Sequence, residues 1–281
     1  MAVSTGRIAF ACPGKNARIG TTVRSDAGVI YVYTVSTTGV IAYEANLTHS
    51  RSLGNLDRLG GGPDALSMFG NTLVAGMPGY ESSANRLDTG GAVIFEYADG
   101  QWSETDIVTP PTWQSEPSDL FGTSVVARDG LIVVASPSHS PSSIVGGATD
   151  AGTLWLYTKS PTGSWFFFQQ LNPSSSNASD TLGDSLDMND DGTLIIASAH
   201  RSDAAAGDAG VLHMFSKTST GTFEHAKTIT VWEGALYISK QPRSCLIIVY
   251  MQLALGITLD RAQALVEVSS RCYTTAVVSY N

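Results

Sequence analysis

Oxygen-bearing side chains alternate in one short stretch, Asp187-Met188-Asn189-Asp190-Asp191-Gly192. Asp187, Asn189 and Asp191 stand at every second position ahead of a turn glycine. Hard calcium gathers several oxygens at about 2.3–2.6 Å, and this spacing begins such a set. The ninth position is Ile195, not an acid. The same residues also describe an Asn/Asp-Gly turn that simply closes a hairpin, and both readings stand. Calcium is the one cofactor the sequence suggests.

Five histidines, His49, His139, His200, His213 and His225, are scattered along the chain. His139 and His200 occupy neighbouring places in successive repeats, which would put them on one rim. His213 falls inside a strand pattern and is expected to pack. Catalysis needs an imidazole to converge with acids or a nucleophile. No GxSxG elbow, HExxH or Walker loop is present, so no enzymatic activity is expected. The cysteines, Cys12, Cys245 and Cys272, form no C-x-x-C pair, which argues against a zinc or thioredoxin-like site. A Cys245–Cys272 disulfide and buried free thiols both fit. Asn46-Leu47-Thr48 and Asn177-Ala178-Ser179 are glycosylation sequons, relevant only on a secretory route. Trp155, Trp165, Phe166, Phe167 and Phe168 suit core packing or a stacking platform for sugars.

A net charge of −9 without a Lys/Arg cluster disfavours nucleic acid and anionic membrane surfaces as partners. Residues 1–30 hold no long apolar run of the signal-peptide kind. Cys245 to Leu259 is apolar for about 15 residues but broken by Gln252, short of the ~20 a spanning helix needs. Membrane association is expected only through regions outside this chain.

These residues must be positioned by a repeat. Asp-x-Gly precedes an apolar strand at Asp26, Asp88, Asp150 and Asp208, spaced 62, 62 and 58 residues apart. A turn glycine then leads into a second strand at Gly39, Gly100, Gly163 and Gly221. An apolar run ends in small residues at IAFACPG, LVAGMPG, LIVVASPS and LIIASAH. Leu59-Gly60, Phe121-Gly122 and Leu182-Gly183 stand just upstream of the last three. The repeated Asp is expected to fix a turn rather than do chemistry. Each unit holds about four short strands and cannot bury both sheet faces alone, so radial stacking is expected. The fold class is all-β, a β-propeller of four-stranded blades. Units fall at about 1–50, 51–112, 113–173 and 174–230, with a degenerate fifth unit or a tail at 231–281.

Phe121-Gly122, Ala135-Ser136-Pro137, Asp150-Ala151-Gly152 and Gly163-Ser164-Trp165 together resemble the FG-GAP repeat, the blade unit of integrin α-subunit propellers. The resemblance covers about residues 1–230 well and the rest weakly. It implies a seven-bladed ring, of which five units would be a fragment, or a ring of unusual number. It implies that calcium loops sit between the FG and GAP strands, where Asp187, Asn189 and Asp191 lie. It further implies an extracellular or cell-surface binding module, with a protein or glycan ligand at the blade-top loops. A lectin-like propeller, or the propeller domain of a larger secreted enzyme, is the alternative.

Overall fold

The computed structural model describes residues 1–51, 55–81, 88–141, 148–173, 176–203 and 209–230. The described residues form four antiparallel four-stranded sheets. The first comprises β1 (Ala2–Ser4), β2 (Arg7–Cys12), β5 (Val29–Val35) and β6 (Ile41–Leu47), with a small hairpin of β3 (Ala17–Ile19) and β4 (Thr22–Arg24) in its upper loop. The second is β7 (Leu66–Phe69), β8 (Thr72–Met77), β9 (Gly91–Ala98) and β10 (Gln101–Val108). The third is β11 (Val125–Arg128), β12 (Leu131–Ser136), β13 (Thr153–Lys159) and β14 (Trp165–Leu171). The fourth is β15 (Leu182–Met188), β16 (Leu194–Ala199), β17 (Val211–Lys217) and β18 (Phe223–Thr230). Each sheet runs in chain order from inner to outer strand, as a propeller blade does. The expected fifth unit, both distal cysteines and Asp208 lie outside the described residues.

Strand alternation explains why the sheets stack. In β9, Val93 and Phe95 pack toward the first blade beside Ile30, Val32 and Leu73. Ala92 and Ile94, on the other face, pack against Trp155 and Tyr157 of the third blade. Leu154 and Leu156 of β13 then meet Val211, Phe215 and Phe223 of the fourth. Central strands apolar on both faces are what radial stacking requires, and each buried large side chain contributes about 1.5–3 kcal/mol.

The repeated landmarks are the links between blades. Leu59 N donates to Ala27 O at 2.9 Å, Phe121 N to Thr89 O at 3.1 Å, and Leu182 N to Ala151 O at 2.9 Å. The first three Asp-x-Gly segments therefore hold the Leu/Phe-Gly of the next unit. Asp26, Asp88 and Asp150 adopt φ of 49°, 51° and 53°, the left-handed region that Asp tolerates better than most residues. The turn role expected for these acids thus comes from backbone conformation. A register shift interrupts the outer strand pair of every blade. Such β-bulges re-aim side chains, and nothing in the sequence signalled them.

Candidate functional site

The turns after β2, β8, β12 and β16 share one end of the propeller with the interblade links. Lys15, Tyr80, His139 and Ser202 hold equivalent places there, each donating its N–H to the carbonyl three residues earlier. Two residues ahead of each Leu/Phe-Gly pair lies a buried acid: Asp57, Asp119 and Asp180. Asp119 Oδ2 accepts the Glu116 N–H at 2.7 Å, and Oδ1 lies 3.1 Å from His139 Nδ1. His139 packs on the Trp155 ring, whose Nε1 donates to Ser136 Oγ at 3.0 Å. Asp180 Oδ2 accepts the Asn177 N–H at 2.6 Å. His49 Nε2 lies 3.3 Å from Asp57 Oδ2 with both side chains fully buried. That pair is close enough for ion pairing, but the ring nitrogen is not aligned for a hydrogen bond. Burial and the Asp57 charge push the neighbouring Tyr80 hydroxyl up. These enclosed pairs brace the face; they do not meet solvent.

His200 differs. Its side chain is 46% exposed, with Nδ1 3.1 Å from Thr181 Oγ1 and 3.8 Å from Asp184 Oδ2. Thr181 and Asp184 flank the Leu182-Gly183 pair at the start of the fourth blade, and His200 follows β16 directly. One residue beyond Asp184, the Ser185 hydroxyl donates to Asp64 Oδ2 from the second blade. Asp64 arrives there through its carbonyl, which accepts the Val125 N–H at 2.9 Å, so the first residues of three blades meet. The half-exposed His200 imidazole thus sits beside one hydroxyl and one carboxylate, Thr181 and Asp184, while Ser185 and Asp64 form a separate contact between blades. The expected shared rim for His139 and His200 is present, but His139 is 3% exposed. Thr181, Asp184, Ser185 and Asp64 were missed in the sequence. Their only signal was proximity to the Leu/Phe-Gly landmark.

The proposed calcium segment sits at the opposite end, in the hairpin between β15 and β16. Asn189 Oδ1 accepts the N–H groups of Thr193 and Leu194 at 2.9 and 2.8 Å. Asp191 Oδ1 accepts the Thr193 N–H and hydroxyl at 3.1 and 2.6 Å, which holds its carboxyl below the usual range. Asp187 Oδ1 accepts the Met188 N–H at 2.8 Å and faces Arg128 Nη2 at 3.5 Å. Arg128 also donates to the carbonyls of Met188 and Asn189. The three predicted ligands close the hairpin around an arginine. Among the described residues, no group of three or more His, Cys, Asp or Glu is arranged to hold a metal.

His213 is buried in β17, as expected for a packing residue. Burial, aided by His225, lowers its imidazole to about 4, so it is neutral at pH 7.

No family model matches the chain, and no curated relative does. Among solved structures it is similar to a Lactobacillus plantarum protein (TM-score 0.40, 15% identity, 73% of this chain and 50% of that one). It is also similar to a 6-phosphogluconolactonase candidate from Bacteroides uniformis (0.41, 10%, 74% and 51%) and to the periplasmic gluconolactonase of Pseudomonas aeruginosa (0.38, 12%, 84% and 73%). The chain spans about half the length of the first two. The FG-GAP assignment does not stand, because no family model matches the chain. The integrin-like adhesion function and the expectation of a non-enzyme are corrected with it. The shared strand–turn landmarks came from blade-to-blade bonding, which fixes a fold and leaves activity open.

Proposed function

We propose that this chain is a hydrolase of a small hydroxylated ester or lactone, with His200 as the proton-transfer residue. The observation that carries the reading is the half-exposed His200 imidazole held beside Thr181 and Asp184. Imidazole is suited to move protons near neutral pH. In this scheme it takes a proton from water as the water oxygen bonds to the acyl carbon. The C–O bond to the leaving alkoxide then breaks, and the same proton returns to that oxygen. Asp184 stabilises the imidazolium that forms in between. The Thr181 hydroxyl beside the imidazole offers a donor and an acceptor to a substrate hydroxyl. A location outside the cytosol, which the family resemblance alone implied, is proposed with it; fractionation of the native cells tests that part.

Proton release from a panel of sugar lactones and short acyl esters tests the activity. His200→Ala is expected to slow turnover about 10²–10⁴-fold with the unfolding midpoint unchanged. Absence of turnover by the wild type across the panel, or full activity in the variant, overturns the reading.

A further inference from the structure

Two imidazoles and a hydroxyl converge on the face that the fourth blade turns toward the third. His213 shares a side of β17 with Val211 and Phe215, which pack with Leu154 and Leu156 of β13. Thr228 of β18 pairs directly opposite His213, and His225 opposite Phe215. The register shift between those two pairs swings His225 back toward His213. His213 Nδ1 lies 3.2 Å from His225 Nε2, and Thr228 Oγ1 lies 3.1 and 3.2 Å from those two atoms.

Protons satisfy the triangle in one way: one ring N–H donates to Thr228 Oγ1 and the Thr228 hydroxyl donates to the other ring nitrogen, the contact between the two nitrogens sharing the first proton. A single cation above the triangle also engages all three atoms together. Tetrahedral zinc with bonds of about 2.0–2.1 Å sets its ligand atoms roughly 3.3–3.4 Å apart, close to the edges observed. Blade packing does not call for imidazoles here. The equivalent residues of the third blade are Trp155, Phe167 and Gln170 by register, and the two rings simply pack at a centroid distance of 6.1 Å.

We propose that His213 Nδ1, His225 Nε2 and Thr228 Oγ1 bind one divalent cation of the zinc class, with water completing the shell. Neutral imidazole suits zinc, copper and nickel rather than calcium. His225 and Thr228 are partly exposed while His213 is buried, so the cation enters from the outer strand. Its role there is to clamp β17 to β18, separately from the His200 site.

Titration of the chelator-treated full chain with zinc, and with cobalt as a spectroscopic probe, tests this. One ion per chain and a rise in Tm are expected. His225→Ala should weaken binding by at least about tenfold, the loss that even an outer partner of a metal ligand produces. His200→Ala should leave binding unchanged. If His225→Ala does not fold, His225→Phe supplies the residue the third blade carries there. No zinc binding up to millimolar concentration, or binding equally tight in the His225 variants, or binding lost in His200→Ala, overturns the proposal.

Discussion

Gly152→Ala probes the link between blades most sharply. Gly152 sits at φ 82°, and a Cβ there would lie 2.4 Å from both the backbone N and O of Leu182 in the next blade. The left-handed backbone costs an alanine about 1–2 kcal/mol. Forcing extra bulk into a filled contact costs about 1–3 kcal/mol more. The expected destabilisation is therefore about 2–5 kcal/mol. Gly163→Ala is the matched control: φ is 95°, and apart from its own chain neighbours no atom lies within 4 Å of the added carbon. It should show the backbone cost of about 1–2 kcal/mol alone. Urea unfolding of both variants, with unchanged slopes, gives the difference. Equal losses would mean that the Asp-x-Gly and Leu/Phe-Gly landmarks are not a tight blade-to-blade contact, and the explanation of the repeat would fail.

Glu44 accepts from Arg7 Nε at 2.8 Å and from Trp102 Nε1 at 3.0 Å across the first and second blades. The hydrogen bond from Arg7 chiefly lowers its carboxyl from the ordinary 4.5. A depressed folded value stabilises the protein above that ordinary value, and the gain is lost as pH falls through the folded one. Tm should therefore fall on acidification below about pH 4.5, less steeply in Glu44→Gln; identical profiles would contradict this. Asp119→Ala strips partners from the Glu116 N–H and the buried His139, and should cost about 1–3 kcal/mol by urea unfolding; a neutral result would remove the bracing role. Arg128 already faces Asp187 at 3.5 Å, so added calcium should leave Tm unchanged, and a clear rise would support calcium at Asp187, Asn189 and Asp191.

The blades were legible because period-2 apolar strands and turn glycines recur at nearly constant spacing. Trp155 and Trp165 are buried as core aromatics, at 0% and 7% exposure. Phe166 and Phe168 are not, since alternation along β14 turns them outward while Phe167 points in. The site was less legible. Asp119 and His139 are 20 residues apart and meet only because a link and a turn share one end of the blade. Asp64 and Ser185 are 121 residues apart and belong to different blades. No local pattern encodes that meeting. The His213–His225 pair depends on a bulge, which composition does not announce. The Asp187–Gly192 segment carried an ambiguous message, and Arg128, a full blade earlier, decides its geometry.

The hydrolysis rate on sugar lactones, compared between the wild type and His200→Gln with their unfolding midpoints measured alongside, tests the central claim most directly. The account predicts turnover by the wild type and a rate about 10²–10⁴-fold lower in His200→Gln at an unchanged midpoint. A variant that hydrolyses the lactones at the wild-type rate would show that His200 does not carry the proton.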